Sequence, residues 1–475
     1  MKHVAFAADN VGLLADASPH QHGVSLLSGW LPAALQIGAV ILLLLAIGWR
    51  SRRWRLIWVP VAALIGVAAA ALLRWYVAFA GIADNPALPL FWIWVGIAGL
   101  AVGAATLGWR ATHWWRRGLS VLAVVLAVLN CGVALNMSVG YFTTVQMAWN
   151  ELTAGPLPDE TDPGAVIAMR DSQTVPAHGT IVPVKIPSDV SKFKHRTEFV
   201  YLPPAWYSTN PPPSLPAVMM IGGQFNTPAD WIRQGNAAAT IDRFAAAHNG
   251  YSPVFVFVDT GGAFQNDTEC VNGPRGNVAD HLTREVVPFM TQRFGVSPRS
   301  SNWGIVGWSM GGTCAMDLTV MHPEMFTSFI DIAGDLSPAA GTTKQTIARL
   351  FGGDASAWAA FDPVTVMTRH GRYRDVTGSF LVSANASQPA AGGDTRTDAD
   401  AQTEAADTLC ALGRIHGIAC AVRAVPGMHN WPFAQEAFSS SLVWLAGQAG
   451  TPSVPRSALP GAQQAIVTAS PAARR

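Results

Sequence analysis

The sequence predicts two parts: a bundle of four transmembrane helices, then an α/β sandwich with a mostly parallel sheet and helices on both faces. Three observations carry this reading. The N-terminal region holds four long runs almost free of charge. From residue 179, short apolar runs alternate with helical stretches. One of those runs leads straight into Gly307-Trp308-Ser309-Met310-Gly311. Composition agrees. Of 475 residues, 50% are hydrophobic and only 13% are charged, against about 25% charged in soluble domains. A disordered chain is excluded, and a wholly soluble one is disfavoured. A net charge of +1 gives no global field for nucleic acid, so no such partner is expected. Five Cys in a chain this long make no small disulfide scaffold. Neither C-x-x-C nor H-E-x-x-H occurs, so linear spacing offers no zinc motif, and neither metal nor cofactor is expected.

The apolar runs near 28–48, 56–79, 88–108 and 118–140 can each supply the roughly 20 residues that span a hydrocarbon core. Buried helices of a soluble protein are the rival reading. Four such runs in succession, with Trp30, Trp58, Trp75, Trp92 and Trp109 near their ends, favour the membrane. The loop between the first two runs carries Arg50, Arg52, Arg53 and Arg55, and that between the last two carries Arg110, Arg116 and Arg117. The middle loop has Asp84 and no base. Basic loops stay in the cytoplasm, so both ends of the bundle face outward. The chain is thus expected to be a multi-pass protein of the cell membrane, with everything after about residue 141 extracytoplasmic. No Asp, Glu or Lys lies inside a span, which leaves an ion or proton path without support.

Residues 1–140 form the transmembrane region on this reading. Residues 141–178, polar with Pro and Gly, read as a linker. The α/β domain follows over 179–450, and the Pro-, Ala- and Ser-rich tail 451–475 is expected to be disordered. Strands are predicted at 179–186, 197–202, 216–222, 253–259, 303–307, 327–333, 379–384 and 419–425. Several are continuous apolar runs, as parallel strands covered on both faces require. Helices are predicted near 235–248, 278–294, 310–321 and 399–416, and the alternation defines the sandwich.

The G-x-S-x-G around Ser309 has an apolar strand before it and a helical stretch after it. That is the context of a nucleophile elbow in the α/β-hydrolase fold, where a tight turn lifts the Ser Oγ off the sheet. A Ser hydroxyl needs a base, and in this fold the order is Ser, acid, His. Of His322, His370, His416 and His429, only His429 follows directly on the last predicted strand, where the base is delivered. The acid belongs on the stretch after strand 379–384. Asp394, Asp398 and Asp400 all qualify. Asp394 is preferred because it lies on the Gly-rich loop, whereas Asp398 or Asp400 could cap the next helix. The oxyanion donors are expected to be the backbone N–H groups of Met310 and, from the loop after strand 216–222, Gln224, with Gly223 close behind. In an oxidising compartment Cys410 could bond Cys420 and Cys270 could bond Cys314; four free buried thiols are the alternative.

The stretches FVYLPPAWY, VMMIGGQFN, GWSMGGTCAM with HPEMF after it, and GMHNWPF make residues about 179–448 resemble the esterase D and antigen 85 branch of the α/β-hydrolases. In antigen 85 proteins a Trp follows the catalytic His by two residues, and His429-Asn430-Trp431 keeps that pattern. The resemblance implies cleavage or transfer of acyl esters through a Ser–acid–His triad without a cofactor. It maps the second oxyanion N–H onto Gln224 and the acid near Asp394. The preceding helices resemble those of membrane-anchored, esterase-like actinobacterial proteins. The expected function is a membrane-anchored, extracytoplasmic serine esterase acting on an acyl ester, a cell-envelope lipid among the candidates. A mycolyltransferase-like acyltransferase and a non-catalytic binding protein are the alternatives.

Overall fold

The computed structural model describes residues 23–48, 51–80, 89–153, 155–384 and 398–461. The chain divides into two compact units, Met1–Val67 with Pro89–Gly155 and Ala68–Leu88 with Pro156–Arg475.

Four long apolar helices dominate the N-terminal region: α1 (Trp30–Ile47), α2 (Trp54–Phe79), α3 (Pro89–Gly108) and α4 (Trp114–Val139). Their packing inverts that of a soluble bundle. Ala39, Ala101, Ala123, Ala127 and Ala134 are buried, while Ile37, Leu44, Leu64 and Val125 point outward. A Cβ added to Gly66 of α2 would lie 2.3 Å from the Gly96 carbonyl of α3, so these helices meet backbone to backbone. Asn130 of α4 donates to the Leu35 carbonyl of α1 at 3.1 Å. Small residues and an interhelical hydrogen bond inside, with large apolar side chains outside, suit helices that pack in lipid. This is a membrane protein with four candidate spans among the described residues. Trp49, Arg50 and Asp84 lie outside the described residues.

Inside 141–178, read as a linker, there are helices at Val145–Leu152 and Pro163–Asp171. Asp162 caps the second through Gly164 N, and Val166 enters the core of the second unit. That core surrounds eight strands: β1 (Thr180–Val184), β2 (Glu198–Leu202), β3 (Ala217–Ile221), β4 (Val254–Val258), β5 (Trp303–Trp308), β6 (Ser328–Ile332), β7 (Thr377–Ser383) and β8 (Ala419–Val425). Their order in the sheet is β1-β2-β4-β3-β5-β6-β7-β8. β1 and β2 run antiparallel to their neighbours and the rest are parallel. Every residue of β3 and β4 is buried, as their unbroken apolar runs require. This is the α/β-hydrolase fold.

The chain leaves β3 for β4 on one side and returns to β5 on the other. Such a switch point opens a crevice at the carboxyl ends of the strands. The register pairs Ile221 with Gly307, which brings residues 222–226 alongside the turn at Ser309. In the tail, Thr451 and Val454 are buried, and a Cβ on Gly447 would meet the Pro455 carbonyl at 2.5 Å. Residues 451–461 therefore pack on the domain, where the composition had suggested disorder; residues 462–475 lie outside the described residues.

Candidate active site

Ser309 sits between β5 and the helix Met310–Met321 with φ 57° and ψ −122°, a conformation L-residues avoid. The turn is over-determined. Ser309 N donates to Ile332 O at 2.8 Å, and Gly312 N donates to Ser309 O at 2.7 Å. Both motif glycines are sterically required. A Cβ on Gly307 would fall 1.6 Å from Gly311 O, and one on Gly311 would fall 2.5 Å from the carbonyls of Ile221 and Gly222. The strain is held by close packing against β3 and lifts Oγ clear of the sheet.

His429 reaches that oxygen from the loop after β8, with Nε2 3.0 Å from Ser309 Oγ. Its loop is fixed on both sides. The Ser383 hydroxyl at the end of β7 donates to Gly427 O. Beyond it, Asn430 caps the helix Trp431–Gln448 through Phe433 N, and Trp431 is buried beside Trp231 and Trp308. The imidazole lies 4.2 Å, centroid to centroid, from the Trp308 ring. Burial pushes its pKa down to about 4, so the ring is neutral at pH 7. The other downstream histidines are occupied elsewhere. His322 pairs with Glu324, His370 stacks on Tyr373, and His416 Nδ1 meets Gly371 O.

The loop after β3 lies against Ser309: a Cβ on Gly223 would be 3.2 Å from both Ser309 Cβ and Trp308 O. Gly223 N–H donates to Asn226 Oδ1 at 2.7 Å, which turns the loop just before Gln224. The Gln224 side chain donates to Asp267 Oδ2 at 3.2 Å. Met310 N–H is the first of its helix and has no intrahelical acceptor. Beneath the elbow, Cys270 and Cys314 are bonded, as are Cys410 and Cys420; Cys131 is free in α4.

Asp394 lies outside the described residues. Asp398 and Asp400 are in the first turn of the helix Asp398–Ile415, and their side chains are not described. Among the described residues, the group facing His429 Nδ1 is the Gln402 amide, with Nε2 at 3.2 Å and Oε1 at 3.3 Å. The amide can donate from Nε2 to the Nδ1 lone pair or accept Nδ1–H at Oε1; the second arrangement is the tautomer whose Nε2 is free to take the serine proton. The sequence carried a signal for Gln402. Gln402, Ala405, Ala406, Leu409 and Cys410 are buried at helical spacing, and Gln402 is the polar residue in that stripe.

The family described as "Putative esterase" matches residues 193–445. The chain belongs to this esterase family. An uncharacterized Corynebacterium glutamicum protein is 30% identical to this esterase over 353 residues, covering 70% of this chain and 77% of that one. Solved structures similar in fold include an S-formylglutathione hydrolase from Agrobacterium tumefaciens, 17% identical with TM-score 0.46, covering 58% of this chain and 97% of that one. MPT51 of Mycobacterium tuberculosis is 17% identical with TM-score 0.37, covering 56% and 99%. The protein is thus an esterase-family enzyme.

Proposed function

We propose that this enzyme is a membrane-anchored, extracytoplasmic serine esterase that cleaves acyl esters, with lipid or cell-envelope esters as the substrate class. The observation that carries the chemistry is the 3.0 Å contact between Ser309 Oγ, held on a positive-φ turn, and His429 Nε2. Ser309 attacks the ester carbonyl while His429 takes its proton. The N–H groups of Met310 and Gln224 hold the oxyanion. His429 then protonates the leaving alcohol, and water, activated in turn by His429, releases the acid. Asp394, on the loop between β7 and the helix at 398, is the proposed third member that stabilises the imidazolium. The extracytoplasmic side follows from the arginines of the first and third loops and an even number of spans.

Two experiments test this. Purified protein is treated with a fluorophosphonate and assayed on short and long acyl esters, with and without a sugar acceptor. Labelling at Ser309 and ester turnover are expected; acyl-sugar product would reassign the enzyme as a transferase. A reporter that fluoresces only in the cytoplasm, fused after residue 450, should stay dark. A bright fusion would overturn the topology.

A further inference from the structure

A second cluster of reactive side chains lies apart from the serine, and the esterase mechanism does not use it. His195 is on the loop between β1 and β2, Glu198 opens β2, and His281 begins a π-helical turn, His281–Val286, within the helical stretch 278–294. One nitrogen or oxygen from each lies within 4.8 Å of the others. Glu198 and His281 are fully buried. π-Turns inside helices are frequently found at functional sites.

The hydrogen bonds reveal an imbalance. His195 Nε2 faces Ile186 O at 2.8 Å, and His281 Nδ1 faces Glu285 Oε2 at 2.9 Å. Glu285 is itself held as a carboxylate by Val190 N, Ser191 N and the Ser191 hydroxyl. A neutral imidazole has one N–H to spend, and these partners would take it. The remaining nitrogens then present lone pairs to further acceptors. His281 Nε2 is 3.1 Å from Glu198 Oε1. His195 Nδ1 is 2.9 Å from Arg196 O and 3.5 Å from Glu198 Oε2. Glu198 Oε2 is buried with no hydrogen-bond partner. A converging set of acceptors needs positive charge at its centre.

Two further protons could supply it, but they would make imidazolium ions of two rings stacked at 4.4 Å. One divalent cation supplies the same charge, leaves both rings neutral, and balances Glu198 with Glu285. Two His and one Glu form a donor set that zinc takes. Zinc–ligand distances near 2.1 Å in a tetrahedron place donors about 3.4 Å apart; His281 Nε2 lies 3.1 Å from Glu198 Oε1, and His195 Nδ1 lies 3.5 Å from the other oxygen of that carboxylate. The outer partners also fit. Ligating imidazoles hand their second N–H to a carboxylate or carbonyl, as Glu285 and Ile186 provide here, and Phe193 packs beside both rings. We propose that His195, Glu198 and His281 bind a zinc-type divalent cation that pins the β1–β2 loop to the helical stretch 278–294.

The site also reaches the oxyanion loop. Asp259 N donates to Glu198 Oε1, Asp259 pairs with Arg196, and Arg196 donates to Asn226 O, whose side chain holds Gly223. This last link rests on the esterase reading; cation binding does not.

The test uses the full-length, tag-free protein in detergent, stripped with a chelator. Zn²⁺ is titrated against a chromophoric competitor, and Co²⁺ uptake is followed by its visible d–d bands. One equivalent per chain is expected, with the bands of a low-coordinate N/O site. Glu198→Gln and His281→Gln should weaken binding at least about 100-fold. Wild-type protein that takes up neither metal overturns the proposal, and so do variants that bind like wild type. Fluorophosphonate labelling runs in parallel. Labelled protein without metal uptake removes the cation and leaves the esterase; metal uptake without labelling removes only the esterase reading.

Discussion

On its Nε2 side, His429 meets Ser309, held almost entirely by one contiguous stretch, residues 303–321, in which strand, turn and helix fix one another. On its Nδ1 side, it meets Gln402, carried by a helix that follows a different strand. The first side is rigid because Gly307 and Gly311 are sterically forced and the Ser309 and Gly312 amides are bonded across the turn. The second is assembled from elements distant in sequence, and its partner can be exchanged without disturbing the elbow. On the proposed mechanism the Ser309 side sets whether the chemistry exists, and the Nδ1 side sets its rate and pH range.

The largest effect should come from breaking the first side. Ser309→Ala is expected to abolish fluorophosphonate labelling and to lower kcat by about 10⁴-fold or more. His429→Ala should lose a similar factor, and the double variant little beyond either, because the two act as a unit. Additive losses, or wild-type labelling of Ser309→Ala, would remove Ser309 from the mechanism.

Asp394→Asn tests the second side at about 10²–10⁴ in turnover. The pH profile carries a sharper signal. The base must be neutral, so kcat/KM falls as pH drops through the His429 pKa. Burial alone places that pKa at about 4. A carboxylate at Nδ1 favours the imidazolium and moves the acid limb upward. The wild-type limb is therefore expected above pH 4, and Asp394→Asn should bring it back toward about 4. An unchanged limb would move the acid to Asp398 or Asp400, each tested the same way.

How much of this could be read from the sequence follows from the same contrast. The elbow helix was legible residue for residue, since a G-x-S-x-G between strand and helix is a local pattern. The four spans were placed within a few residues. The main slip was α4, which starts at Trp114 because Arg116 and Arg117 continue the helix, Arg117 bonding back to Trp109 O at 3.0 Å. β7 starts at Thr377, earlier than its apolar run, because Gly378 leaves room for the Phe329 ring. The helices Thr343–Leu350, Ala355–Ala359 and Pro363–His370 are too short for a clear period, and only their caps, Thr342, Asp354 and Asp362, announce them. Gln402 and the His195–Glu198–His281 cluster were missed for another reason. Gln402 meets His429 across 27 residues and His281 meets Glu198 across 83, so the buried helical stripe could mark Gln402 as unusual but not name its partner.

The smallest expected effect belongs to Gln402 itself. Gln402→Ala removes one neutral hydrogen bond to Nδ1–H, with a net value of about 0.5–1.5 kcal/mol, or roughly 3–10-fold in kcat/KM. A loss that small could also come from loosened packing, since Gln402 is buried. Gln402→Glu separates the two explanations. It keeps the shape of the side chain and puts a carboxylate where the amide stood, so a group that faces Nδ1 must raise the His429 pKa. Placed in the Asp394→Asn protein, Gln402→Glu should lift the acid limb from about pH 4 and recover part of the lost turnover. A limb that stays where Asp394→Asn left it would mean that the Gln402 side chain does not face the imidazole in solution, and that the Nδ1 side is built by the loop alone.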